Sequence, residues 1–402
     1  MLFGKPSNFP ENDYRSVNFK GDWTKHFINN YVDSISSIGK EKTIEVFSSY
    51  KDEHLPKYLY KFMPPTIYSL NNIIQGTVHL SSPHKFNDPF DSYLCVKKES
   101  FEKEYLIRKL VQGEYVKEIE NSDEFITNKE LDNLYNTYCE GESGYYYKQS
   151  FYSTFYDIAN YKSESFRRLY MGFYNEAHKS CTTKMKFLRN TVYRISCFSH
   201  FKNESELMEN STMWSHYADE HRGFCVKYTL DFGKTKFRDI LLCSLFKVKY
   251  TSRTEFITNN QLLNLNDKDG ELYINDAVKK KLIKSLLTKS PFWSYENEWR
   301  LVLSEKECYL LYENNIPFPK IDSVFLGCRI DKSLEQLILK VGSELGFKVY
   351  KTYQMDNKFS LYYILLDKEK HEKDEYFNKI MKISTIEDRT ERSRMLWFNE
   401  RQ

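Results

Sequence analysis

The chain has 402 residues, a formal net charge of +3, and apolar side chains at 41% of positions. So balanced a charge argues against a nucleic-acid binder built on one strongly basic face. No apolar run approaches the roughly 20 residues of a membrane span, and the length allows either two or three domains or one domain with long insertions.

Aromatic residues make up 16%, with 32 Tyr and 29 Phe against 14 Gly and 10 Pro. A bias towards Lys, Asn, Tyr, Phe and Ile codons accounts for most of this excess, although Tyr also suits the wall of a wet cleft. The first residues, MLFGKPSNFPENDYRS, lack the apolar centre of a secretory signal. Eight cysteines are scattered with no Cys-x-x-Cys pair and no Cys/His cluster at zinc spacing. These features predict a reduced, cytoplasmic protein, away from membranes and without a structural metal.

In chain order, residues 1 to about 22 read as a polar arm. From Asp22 a helical period places Phe27, Ile28, Tyr31, Ile35 and Ile38 on one face, and a second helical piece runs to about Tyr50. Residues 1–55 therefore form an N-terminal helical addition. KYLYKFM is strand-like, TIYSLNNIIQG is a helix stopped by Gly76, and TVHLSS is a second strand. Residues 99 to about 190 are rich in Glu, Lys, Tyr and Phe and read as an all-helical insertion. Strands resume at TVYRISCFS, GFCVKYTL and SLFKVKY, followed by a Lys-rich helix over 275–288. IDSVFLG, a helix over Leu334 to Leu345 and FKVYKTY make a strand–helix–strand unit, and FSLYYILL is a last strand. Residues 367–402 read as a charged helical tail. The expected class is α+β: a mixed or antiparallel sheet core over 56–366, as two small sheets around a cleft, decorated with helices.

Three stretches carry the candidate chemistry. SPFWSYENEWRLVL (290–303) read as a strand puts Glu296, Glu298 and Arg300 in one row, with Tyr295, Trp299 and Leu301 behind it. Charged residues seldom lie on a largely buried strand unless paired or functional, so the row is either an ion pair closing a sheet edge or a carboxylate at the wall of a ligand cleft. In FNDPFD (86–91), Asp88 before Pro89 suits a helix N-cap, while Asn87 or Asp91 is free to face a ligand. MWSHYADEHRGF (213–224) groups Trp214, Tyr217 and Ala218 on one helical face, chiefly a core stripe, with His216 off it and His221 at a turn. Phosphate loops and the metalloprotease, hydrolase and kinase motifs are absent.

LYKFM, GTVHLSSPHKFNDPFD, ISCFS, MWSHYADEHRGFCVKY and YENEWRLV, in this order, resemble a widespread bacterial domain of unknown function, over roughly 56–98 and 190–366. That resemblance implies a setting around bacterial defence and toxin loci. The order of strand, short helix ending in Gly, strand with SS and late E-x-E strand also resembles the ADP-ribosyltransferase fold. This second resemblance implies NAD as substrate, with Tyr60 or Lys61 as the first-strand residue, Ser81 or Ser82 as the second-strand residue and Glu298 as the late carboxylate. A first-strand position that is neither His nor Arg departs from the pattern. The expected function is an NAD-consuming transferase or glycohydrolase with Glu298 as charge stabiliser, Arg300 orienting it and Glu296 beside it. Trp214, His216, Tyr217 and Tyr295 join Asn87, Asp88 and Asp91 as candidate ligand contacts. One other reading is a non-catalytic module sensing a nucleotide or a phage protein. Another is a metal-dependent nuclease, which needs the carboxylates of FNDPFD and of the E-x-E stretch to meet.

Overall fold

The computed structural model describes residues 23–98, 164–233, 237–265, 274–310 and 314–366, with short pieces between 100 and 105 and between 267 and 272. The expected N-terminal arm, most of the expected helical insertion and the charged tail lie outside the described residues. The chain divides into two compact units: Met1–Tyr93, Asn190–Arg253 and Ile283–Gln402 form one, Leu94–Arg189 and Thr254–Leu282 the other. The smaller unit contains most of the helix Glu164–Asn190 and a two-residue parallel ladder of Leu94–Cys95 with Glu255–Phe256. Its short helix Asn259–Leu263 begins in a capping box of Thr258 and Gln261.

The larger unit is α+β, around one eight-stranded sheet. Its strands are β1 (Tyr58–Met63), β2 (Tyr193–Ser199), β3 (Phe224–Thr229), β4 (Leu245–Lys247), β5 (Glu298–Ser304), β6 (Ile321–Leu326), β7 (Lys348–Gln354) and β8 (Leu361–Leu365), in the order β8-β7-β6-β3-β1-β2-β5-β4. Only β6 and β7 run parallel in it, joined by the helix Lys332–Leu345 as the strand–helix–strand pattern predicts. The expected pair of small sheets is a single sheet with one weak joint. β1 and β2 share one register pair, Tyr60 with Ser199, whereas β1 pairs with β3 along its whole length. Further along β2, Ser81 takes the neighbouring position through two backbone hydrogen bonds of 2.8 Å with Ile195.

Alternation in β1 explains how the sheet is covered. Leu59 and Met63 enter one core layer with Trp299, Leu301 and Leu303 of β5; Tyr60 and Phe62 enter another with Trp214 and Phe201. Helices α1 (Trp23–Ile38) and α2 (Lys40–Asp52) pack Phe27, Ile28, Val32, Ile44 and Phe47 against Ile195, Phe246 and Val302. The helix α3 (Ile67–Gln75) is capped by Thr66, whose hydroxyl accepts the Ser69 N–H at 3.2 Å, and stops at Gly76 with φ 63°.

The Met213–Phe224 motif has a geometric reason. After α4 (Ser211–Tyr217) the chain turns through Asp219, Glu220 and His221 at φ 47°, 53° and 69°, a left-handed stretch that costs an L-residue roughly 1–2 kcal/mol each. Gly223 then passes so near β1 that an added Cβ would lie 2.1 Å from the Met63 carbonyl oxygen. The turn is held by N–H groups of Glu220 and His221 donating to carbonyls of Ser215 and Trp214. It fixes α4 against β1.

Candidate functional site

A cavity of about 140 Å³ lies where β1 and β2 part. Register places Tyr60, Ser199 and Glu298 in one row across β1, β2 and β5, so all three address the same face. Lys61 reaches across the parted strands: its ammonium donates to the Cys197 carbonyl at 2.8 Å and the Ser196 hydroxyl at 3.0 Å. Phe86, Asn87 and Asp91 close the cavity from the FNDPFD turn, Met213 and Tyr217 from α4.

Against one wall stands a buried ionic cluster of Asp91, Glu296, Glu298, Lys289 and Arg300, each at most 5% exposed. Arg300 donates from Nε to Glu298 Oε1 at 2.8 Å, from Nη2 to Glu298 Oε2 at 3.0 Å, and from Nη2 to Asp91 Oδ2 at 2.8 Å. Its Nη1 donates to the Ser92 hydroxyl and the Leu286 carbonyl. Lys289 donates to Glu296 Oε2 at 2.5 Å and to Glu298 Oε2 at 3.1 Å, and lies 3.3 Å from Asp91 Oδ2. Tyr217 donates its hydroxyl to Glu296 Oε1 at 2.6 Å. Such a cluster tolerates burial because every charge has a close opposite partner.

The two glutamates titrate apart. Burial and the neighbouring Glu298 charge push the Glu296 carboxyl up to about 7, against the pull of Lys289. Burial acts on Glu298 in the same direction, but Arg300 and Lys289 outweigh it and hold that carboxyl at about 2. Glu298 is thus ionised near neutrality, while Glu296 exchanges a proton there. The same acids keep Lys289 charged, overcoming a burial that works the other way. Burial lowers Lys61 and, with Glu298, raises the Cys197 thiol, so that thiol stays protonated.

The expected row on one strand is corrected. Glu296 ends a short 3₁₀ turn, Pro291–Glu296, and Asn297 at φ 42°, ψ 55° separates it from β5, which starts at Glu298. Trp299 and Leu301 do lie on the reverse face, in the core, but Tyr295 belongs to the turn. β5 is an inner strand, so the Glu298–Arg300 pair does not close an edge; it braces a cavity wall. Asp88 caps a turn and no helix: its Oδ1 accepts the Phe90 N–H at 2.8 Å.

Of the other sequence candidates, Tyr60, Lys61, Asn87, Asp91 and Tyr217 line the cavity with Glu296 and Glu298. Ser81 is engaged through its backbone, and Ser82 donates to the Asn190 carbonyl at 2.7 Å; neither reaches the cavity. Trp214 is buried in the core, its indole N–H donating to the Leu207 carbonyl. His216 and Tyr295 share a hydrogen bond of 3.1 Å outside the lining. Sequence reasoning missed Lys289, Ser92, Cys197 and Ser199. Lys289 had the one usable signal, a lysine at a strand end seven residues before a glutamate, and that is common.

A nuclease reading required residues 88 and 298 to come together; Asp88 instead caps its own turn, and it is Asp91 that shares Lys289 and Arg300 with Glu298. The oxygens a cation would need are held by Lys289 and Arg300, and among the described residues no three His, Cys, Asp or Glu side chains are grouped to hold a metal ion. No described helix is long and apolar enough to cross a membrane.

A family model described as a protein of unknown function, DUF2971, matches residues 213–301. This segment of the chain is thus similar to a domain-of-unknown-function family, and the match runs from α4 to β5. It includes Tyr217, Lys289, Glu296, Glu298 and Arg300, and leaves Tyr60, Lys61, Asn87 and Asp91 outside. No curated protein and no solved structure matches the chain.

Proposed function

We propose that the cavity cleaves an N-glycosidic bond of a nicotinamide nucleotide, as an NAD glycohydrolase or ADP-ribosyltransferase does. The observation that carries this reading is two carboxylates on one small cavity, one held ionised and one exchanging a proton near neutrality. Loss of nicotinamide from NAD builds positive charge on the ribose as the C1′–N bond stretches and its electron pair returns to the ring nitrogen. Glu298, fixed by Arg300 before any ligand arrives, stabilises that charge where it develops. Neutral nicotinamide leaves without needing an acid. Water, or an acceptor hydroxyl, attacks C1′ and gives its proton to Glu296, whose ordinary range is shifted towards the pH of use.

The test is nicotinamide release from NAD by the purified chain. Glu298→Gln keeps the volume and removes the charge, so the rate falls by about 10²–10³-fold. Glu296→Gln loses the dependence on a group near pH 7, with activity otherwise rising as pH climbs through that value. A wild-type protein that releases no nicotinamide from NAD ends this reading.

One observation favours a second reading, a nucleotide-sensing module without chemistry. Both Glu298 oxygens already accept from Arg300, and Lys289 adds to one of them. On that reading ligand binding survives Glu298→Gln, and saturating nucleotide raises the melting temperature of wild type and variant alike.

A further inference from the structure

Immediately outside the ionic cluster lies a group of rings that the cavity does not use. The Trp293 ring centroid is 5.0 Å from Lys289 Nζ, 6.0 Å from the Tyr295 ring and 6.2 Å from the His216 ring. His216 and Tyr295 are locked together by their hydrogen bond, and Asn210 Nδ2 donates to the Tyr295 carbonyl at 2.8 Å. His216 is also 6.2 Å from Tyr217, which lines the cavity and holds Glu296. Tyr217 and Lys289 line the cavity and also touch these rings, so the ring shelf adjoins it, its Trp293 plane inclined by 38° to Tyr295 and by 61° to His216. His216 is exposed and Trp293 and Tyr295 are partly so.

The cavity, at about 140 Å³, is well below the roughly 300–1,000 Å³ of sites that enclose a drug-sized ligand. A whole dinucleotide exceeds that space, so part of it has to lie outside. Planar bases stack on aromatic faces irrespective of their identity, since each has a π-face.

We infer that Trp293, with Tyr295 and His216, is a second binding subsite that stacks the purine base of a dinucleotide whose nicotinamide end occupies the cavity. The inference rests on the glycosidic reading for the cavity half, and the shelf half is tested separately. It sets the preferred substrate class as dinucleotide over mononucleotide.

The experiment compares NAD with nicotinamide mononucleotide in wild type, Trp293→Ala and Trp293→Phe, alongside calorimetric binding of AMP. A stacked base lost to alanine weakens binding by about 10-fold. Trp293→Ala is therefore expected to raise KM for NAD about 10-fold, leaving kcat and the KM for the mononucleotide within twofold, and Trp293→Phe to restore most of the loss. AMP binds wild type and is weakened in Trp293→Ala by a similar factor. Equal rises in both KM values, or no rise in either, overturn the subsite. If wild type cleaves neither compound, the glycosidic reading fails alone and AMP decides: binding that Trp293→Ala weakens keeps the shelf, and absent or unaffected binding sinks it.

Discussion

Two buried lysines of the larger unit make an instructive contrast. Lys51 of α2 points into the packing of the N-terminal helices, its ammonium 3.9 Å, 4.3 Å and 4.8 Å from the rings of Phe246, Phe27 and Trp23, with no hydrogen-bond partner among the described residues. Lys289, nearly as enclosed, sits among three carboxylates. Burial drives both towards the neutral amine. It wins at Lys51, which is held well below its ordinary range, and loses at Lys289, which is held above it. Ring faces attract a cation, but more weakly than ion pairs at hydrogen-bonding distance. One region is a packing joint containing a polar atom, and the other is a charged device beside a cavity.

The contrast is tested first where the effect is largest. Arg300→Leu leaves Asp91 and Glu298 buried without their main partner and is expected to destabilise by about 3–5 kcal/mol in urea unfolding. If it unfolds at wild-type urea concentrations, the cluster is not the closed ionic unit described. The pH dependence comes next. Glu296 is raised above its unfolded value, so its stabilising contribution is complete below about pH 4.5 and is lost as pH rises through about 7. Glu298 is depressed, and its contribution is present above about pH 4.5 and lost as pH falls through about 2. Between pH 5 and 7 the unfolding free energy should decline, by on the order of 1 kcal/mol per pH unit at most, and Glu296→Gln should flatten that slope. An unchanged slope in the variant would place the titrating group elsewhere. Lys51 acts in the opposite sense: its value is lowered on folding, so its cost shrinks as pH rises towards the ordinary lysine range. Lys51→Met should be the mildest change, within about 1 kcal/mol of wild type and neutral or stabilising, because it removes an unpartnered buried amine from an apolar niche. A loss comparable to that of Arg300→Leu would erase the distinction between the two lysines.

Much of the fold was legible. Most of the period-two runs became strands of the main sheet, whereas TVHLSS gives the short strand Thr77–His79 paired with Asn315–Pro317 in a ladder of its own; the Gly76 stop signal sits at a left-handed C-cap, and the strand–helix–strand unit is parallel. The candidate site was legible in part, because Glu298, Arg300, Asp91 and Tyr60 are charged or polar at positions whose neighbours demand burial. Ser81 and Ser82 misled for a physical reason. A serine beside a strand looks the same in sequence whether its hydroxyl or its backbone is engaged, and here Ser81 is held through its backbone and Ser82 bonds the Asn190 carbonyl. Glu296 reached the cavity from a turn, since Asn297 takes a left-handed conformation that alternation does not anticipate.

By itself the sequence determined most of the extended and helical segments among the described residues and that a carboxylate and an arginine share one buried strand, because local periodicity and the cost of burying charge are encoded residue by residue. Only the tertiary structure decided that β1 and β2 part after one register pair, that Asp91 and Lys289 complete the cluster from distant segments, and that one glutamate is ionised while its neighbour hovers near neutrality. Those outcomes depend on distances between groups far apart in the chain and on how much water each one keeps, and no local pattern carries either quantity.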